Sequence, residues 1–186
     1  PSRQAEGPFA FEYNGNYYLT YPYVRENTEV LAYAMSKNPM GPYEYKGLIM
    51  AEHENGCWTN HHSIVNFKGQ WYLFYHHNAF SPHFDKNRSA QIEKLYFNPD
   101  GTIQEVKPTL RGVGPIKASQ KVQNDRYSCI DGAAIEYLDT TDYFKGWKTV
   151  FAKAGDKVCF NEVNFGKKAP KTAVVCVKAD AGAQLE

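Results

Sequence analysis

Glu6, Asn60, His61, His62, His76, His77 and Arg88 are the residues whose types and spacing could do chemistry together. Glu6 stands in Ala5-Glu6-Gly7-Pro8. Asn60 stands 54 residues later, in Trp58-Thr59-Asn60-His61-His62-Ser63. Both stretches are polar, carry glycine, proline or histidine, and precede a strand-like run. A carboxyl group beside a funnel of aromatic side chains is partly desolvated. Desolvation disfavours the charged form, so such a group can carry a proton at neutral pH and deliver it to a departing oxygen. That is the task of the general acid in glycoside hydrolysis. An arginine entering at the same end offers a planar fork of donors suited to sugar hydroxyls, and Arg88, in Lys86-Asn87-Arg88-Ser89, is placed for it. An inward histidine could ligate a metal or hold a water on one. The six histidines form neither an H-x-x-x-H nor an HExxH pattern, so a catalytic zinc is unsupported. Each reading has a plainer rival: a solvated glutamate, a hydrogen-bonded core histidine, a surface arginine.

The elements that must position these residues show themselves as a repeat. Tyr13-Asn14-Gly15-Asn16-Tyr17-Tyr18-Leu19-Thr20-Tyr21 returns as Phe67-Lys68-Gly69-Gln70-Trp71-Tyr72-Leu73-Phe74-Tyr75, again at an offset of 54 residues. A strand-rich repeat of roughly 40–50 residues marks a propeller blade, and about 4–8 blades are needed to close a propeller. Two blades leave it open, so the chain reads as a piece of a larger fold. The first blade is expected in runs Phe9 to Tyr13, Tyr17 to Tyr21, Glu29 to Met35 and Tyr43 to Met50. Asn14-Gly15 forms the first hairpin, because a tight turn needs positive φ. The second blade is expected in Ser63 to Phe67, Trp71 to His77, Ala90 to Phe97 and Thr102 to Val106. The innermost strand of a blade lines the channel, so Glu6 and Asn60 fall near the axis on adjacent blades. Within each histidine pair, alternation along a strand sends one ring to the channel and one to the core.

Composition shifts after about residue 110, where Leu110-Arg111-Gly112-Val113-Gly114-Pro115 reads as a linker. Lys148 to Phe151, Lys157 to Phe165 and Thr172 to Ala179 follow as strand-like runs, suggesting a second, sandwich-like β module. Residues 1–112 and 113–186 are therefore expected to be two units, the second also incomplete. Hydrophobic residues make up 42% of the chain and aromatic ones 15%, which suits an all-β globular protein. Twenty-one basic residues balance 20 acidic ones, and no basic stripe points to nucleic acid. No apolar run approaches the roughly 18–20 residues of a membrane span. Cys57, Cys129, Cys159 and Cys176 form no CxxC pair, which argues against structural zinc. Cys159 and Cys176 sit in strand-like runs and could be neighbours, with buried thiols the simpler expectation.

At these residues the sequence resembles glycoside hydrolase family 43, and within it the arabinoxylan arabinofuranohydrolases. The likeness lies in Glu6-Gly7-Pro8 with Tyr17 to Pro22, in Asn60 to Val65 with Gly69 to Tyr72, and in Asn87-Arg88-Ser89 with Phe97 to Ile103. It implies a five-bladed β-propeller that inverts the anomeric centre. Glu6 matches the general acid, His61 a histidine associated with a calcium ion in the central channel, and Arg88 an arginine touching the sugar. Asn60 would contact substrate. The family's general base and a second, acid-tuning aspartate match nothing here and are expected upstream of Pro1. Residues from about 115 onward resemble the front of a family 6 carbohydrate-binding module, through Phe144 to Trp147, Gly155 to Val158 and Val174 to Glu186. The resemblance implies a secreted or periplasmic enzyme acting on plant arabinoxylan or arabinan, completed by further blades of its own chain. A β-xylosidase, an endo-arabinanase, a non-catalytic sugar-binding propeller and an adhesion propeller are the alternatives.

Overall fold

A computed structural model describes residues 6–53, 56–78, 86, 88–142, 145–168, 170–179, 182 and 184. The described residues contain strands, turns and loops and no α-helix. No helix among them is long and apolar enough to cross a membrane. The described residues form thirteen strands: β1 (Phe9–Tyr13), β2 (Asn16–Val24), β3 (Glu29–Ser36), β4 (Glu44–Met50), β5 (His62–Phe67), β6 (Gln70–His77), β7 (Ser89–Leu95), β8 (Ile116–Lys117), β9 (Cys129–Asp131), β10 (Ala134–Tyr137), β11 (Trp147–Val150), β12 (Lys157–Cys159) and β13 (Val163–Asn164).

The repeat maps onto two antiparallel meanders. β1 to β4 form a four-stranded sheet in chain order, and β5 to β7 a three-stranded one. The matching hairpin turns have matching backbones: Asn14 and Gly15 take φ of 51° and 67°, Lys68 and Gly69 of 51° and 84°. That is the twist a two-residue turn needs to join right-twisted strands. β3 is central and buried on both faces over Glu29 to Met35. β4 is bulged where Gly47 adopts a φ of 140°.

The core lies between the two sheets. Tyr18, Leu31, Tyr33, Ile49, Ile64, Leu73 and Leu95 are among its most buried members. An aromatic wedge closes it at the rim. Phe11 stacks on Tyr18 at 4.6 Å, and Tyr13 and Trp71 meet edge to face at 5.3 Å. Such ring pairs add about 0.5–1.5 kcal/mol each beyond their buried area.

The expected strand from Thr102 to Val106 does not form. Ile103 makes a single bridge to Phe97, and the chain then crosses to the first sheet, where Val106 N–H donates to Ile49 O at 2.7 Å. The cause is local. Asp100 Oδ1 accepts from Thr102 N–H (2.9 Å) and Thr102 Oγ1–H (2.6 Å), curling the turn tightly. The Tyr18 hydroxyl donates to Gly101 O (2.7 Å), and the Tyr33 hydroxyl accepts from Ile103 N–H (2.9 Å). The segment thus keeps a short pairing with the end of its own sheet, through Asn98 N–H to Thr102 O (2.8 Å) and Gln104 N–H to Tyr96 O (2.9 Å), and at the same time fastens that sheet to the other.

Beyond Val106 the elements are short. β10 pairs with β11, β9 with β12, and β8 runs parallel to β13. The run from Lys157 to Phe165 is split at Glu162, which has a φ of 51°. Thr172 to Ala179 forms no strand, and Val174, Val175 and Val177 are exposed. The cysteine expectation is corrected. Antiparallel register sets Cys129 opposite Cys159, and those two form a disulfide. Cys176 is free and exposed, and only Cys57 is a buried thiol. Arg111, 8% exposed, fastens this region to the linker: its guanidinium donates to Asn161 O (3.0 Å), Gly112 O (2.9 Å) and Gly114 O (2.7 Å) and pairs with Glu162 (3.3 Å).

Candidate active site

The two inner strands bring the two polar stretches to one end of the molecule. β1 and β5 lie side by side. Thr20 Oγ1 donates to Phe9 O (2.9 Å) and shares a 2.6 Å hydrogen bond with His62 Nε2, so the start of β1 is tied to the start of β5. Glu6 precedes β1 and its N–H reaches Pro22 O at 3.4 Å. Asn60 precedes β5 and is 4% exposed.

Between them sits a residue that pattern reading passed over. Glu29, at the head of β3, is 5% exposed. Its Oε2 accepts the Asn60 N–H at 2.8 Å, and its own N–H reaches Cys57 O at 3.4 Å. Burial pushes Glu29 up to about 7; the Asn60 N–H partly offsets this, while the charge and hydrogen bond of Glu6 add to it. The signal in the sequence was a carboxylate beginning the apolar run Val30-Leu31-Ala32. The loop before it is held from the far end of β4, since Glu52 Oε1 accepts the N–H groups of Glu26 (3.2 Å), Asn27 (2.9 Å) and Thr28 (3.0 Å).

His61 lies against Gly7, the residue after Glu6. Gly7, at a φ of +54°, has its backbone against the His61 ring so closely that a Cβ there would collide with it. The His61 and His76 rings are parallel within 6° at 6.1 Å, and His61 N–H donates to His76 Nε2 at 3.4 Å. Burial holds His76 down at about 4, with the Arg88 charge and then His61 acting in the same sense, so it is a neutral acceptor at physiological pH. The field of Arg88 also reaches Cys57. Glu29 thus meets Asn60, Gly7 beside Glu6 meets His61, and His61 meets His76; Arg88 enters at the same end, since its neighbour Ser89 pairs in register with His77, next to His76. Asn87 lies outside the described residues.

The paired histidines divide by face. His61 is exposed, whereas His62 is turned inward onto Thr20 and packs edge-on to Phe9. His76 faces the cluster, whereas His77 is 2% exposed and stacked on His53 at 4.6 Å.

The pattern of glycosyl hydrolases family 43 matches residues 3–103. The chain belongs to this family. A β-xylosidase of Xylanibacter ruminicola is 41% identical over 107 residues, covering 58% of this chain and 32% of the relative. An arabinoxylan arabinofuranohydrolase of Paenibacillus polymyxa is 27% identical over 97% of this family 43 chain and 32% of the relative. The crystal structure of a family 43 arabinoxylan arabinofuranohydrolase from Bacillus subtilis, in complex with cellotetraose, superposes with a TM-score of 0.52 at 27% identity, covering 87% of this chain and 37% of that one. The chain spans about a third of the length of these relatives. The candidate site lies wholly inside the matched span.

The expectation of calcium at His61 meets a chemical obstacle in the residues present. Calcium takes about 6–8 oxygen ligands, whereas the His61 ring faces another imidazole, that of His76, at 6.1 Å. Among the described residues no three His, Cys, Asp or Glu side chains converge to hold a metal ion. These residues do not by themselves fit a calcium ion, and no step below passes through one.

Proposed function

We propose that the protein carrying this chain removes arabinofuranosyl groups from plant arabinoxylan by inverting hydrolysis, with Glu6 as general acid. The supporting observation is the span of the arabinofuranohydrolase likeness: it runs through both the paired sheets and the C-terminal region, at 97% of the chain. In this reading the Glu6 carboxylic acid gives its proton to the glycosidic oxygen as the bond from that oxygen to the anomeric carbon breaks. Water attacks the opposite face of that carbon and loses a proton to an aspartate that no residue of this chain supplies. Arg88 and Asn60 would hold the sugar, Asn60 through its buried Oδ1, which has no partner among the described residues. His61 would line the mouth of the cleft. The paired sheets are two blades of a five-bladed propeller, and the C-terminal region is the front of a carbohydrate-binding sandwich. The Cys129–Cys159 disulfide supports export to an oxidising compartment, secreted or periplasmic.

A β-xylosidase is the second reading, favoured by the 41% identity over the paired sheets. Glu6→Gln in the full-length protein tests the shared mechanism: turnover of arabinoxylan falls by about 10²–10⁴, the usual worth of general acid catalysis. Unchanged turnover refutes it. Release of arabinose rather than xylose separates the two readings.

A further inference from the structure

A cleft of about 360 Å³ opens where the end of β7 meets the linker and the C-terminal region. That volume lies within the usual range of ligand sites, which gather where separately folded parts of a chain meet. The cleft is remote from Glu6 and Asn60. β7 begins at Ser89, beside Arg88, and the cleft begins at its other end, with Tyr96. Tyr96 stands seven residues beyond Ser89, about 23 Å along an extended strand.

Its walls are fixed before any ligand arrives. Gln104 N–H donates to Tyr96 O at 2.9 Å. Glu93 Oε1 accepts the Thr109 N–H (2.8 Å) and Oγ1–H (2.6 Å), folding the following segment back onto β7. The Arg111 guanidinium is taken up by the carbonyls of Asn161, Gly112 and Gly114 and by Glu162. A site already shaped costs little ordering when it is filled.

The lining also says what would fill it. Lys94, Lys107 and Arg111 are matched in number by Glu93, Glu105 and Glu162. Lys94 and Arg111 both pair with Glu162, at 3.5 and 3.3 Å. The cleft therefore offers no surplus of either charge to an ionic ligand. What it turns outward is the Tyr96 side chain, 49% exposed, and the exposed Gln104, Glu105 and Lys107. An aromatic ring suits the apolar face of a sugar, and an amide, a carboxylate and an ammonium group between them donate to and accept from hydroxyls.

Resting on the reading of the protein as an arabinoxylan hydrolase, we propose that this cleft is a second saccharide-binding site, which holds a stretch of the polysaccharide backbone while the site at the opposite end of β7 works on another. A neutral, hydroxyl-rich polymer is long enough to meet both ends of the strand. A monosaccharide glycoside is not.

The test uses the full-length protein, with soluble arabinoxylan as the polymer and an aryl arabinofuranoside as the small substrate. Tyr96→Ala should weaken binding to arabinoxylan, read as retardation in a native gel containing the polymer, by about two- to tenfold. It should lower kcat/KM on the polymer by a similar factor and leave hydrolysis of the aryl glycoside unchanged. Tyr96→Phe keeps the ring and should bind as the natural protein does. Unchanged binding in Tyr96→Ala, in a protein that hydrolyses arabinoxylan, overturns the cleft and keeps the proposed function. Equal losses on the polymer and the small substrate overturn the cleft as well, because a remote site acts on the polymer alone. Weakened binding in Tyr96→Ala of a protein that cleaves no arabinoxylan keeps the cleft and removes the hydrolase reading. A protein that neither binds nor cleaves arabinoxylan removes both.

Discussion

The two halves of the chain are held together by different forces. In residues 6–106 two meanders press apolar faces together, and every buried hydrophobic side chain among the described residues lies there, from Tyr18 to Val106. Beyond Gly112 strands run two to four residues, and the ties are a disulfide, a buried guanidinium and exposed ion pairs such as Lys148–Glu136 at 3.3 Å. A region too thin to bury much apolar surface is stable only when covalent or charged fastenings replace packing. The contrast explains where a catalytic cluster could form. Glu6, Glu29 and Asn60 are set at the end of the packed half, where strand positions are fixed by a filled core.

The sharpest way to break this contrast is to hollow out the core. Leu73→Ala, at a fully buried position, should cost about 2–5 kcal/mol and lower the unfolding midpoint of the packed half. A denaturant titration followed through the tryptophans checks it, and a change below 1 kcal/mol (about the cost of a volume-conserving swap) would deny that packing governs this half. Next in size is Cys129→Ser, or mild reduction of the protein. The lost cross-link should cost about 2–4 kcal/mol and fall on the C-terminal region alone. Hydrogen exchange should rise across residues 116–164 while β2, β3 and β6 keep their protection; loosening of both halves together would erase the distinction. The smallest effect is expected from Arg111→Lys. Lysine cannot reproduce the guanidinium fork over three carbonyls, so about 1–3 kcal/mol should be lost. The change should show as earlier proteolysis near Gly112 and Gly114, with the sheets intact.

Much of the packed half was legible because the repeat carries both period and turn chemistry. Asn14-Gly15 and Lys68-Gly69 fixed the hairpins, and each first-sheet strand appeared within a few residues of its expected place. Thr102 to Val106 misled because its alternation is that of a strand, while only Thr102 to Gln104 pair with their own sheet and Ile103 and Val106 bond Tyr33 and Ile49 of the other. No local pattern records such long-range bonds. The same limit hid the pairing of Cys129 with Cys159, since which thiols meet depends on register. It also hid the break at Glu162. At the site, the 54-residue offset brought Glu6 and Asn60 into one view. Glu29 was missed because its importance lies in what stands across from it, two loops away in sequence.

The three amides gathered by the Glu52 carboxylate have a consequence for engineering. Specificity in this scaffold invites exchange of the β2–β3 loop, which leads directly into Glu29. That loop takes its shape from a side chain outside itself, so a donor loop transplanted alone would arrive without its anchor. A chimaera made by swapping residues 25–28 should carry the donor's own counterpart of Glu52 as well, or the inserted segment will reset the strand it leads into.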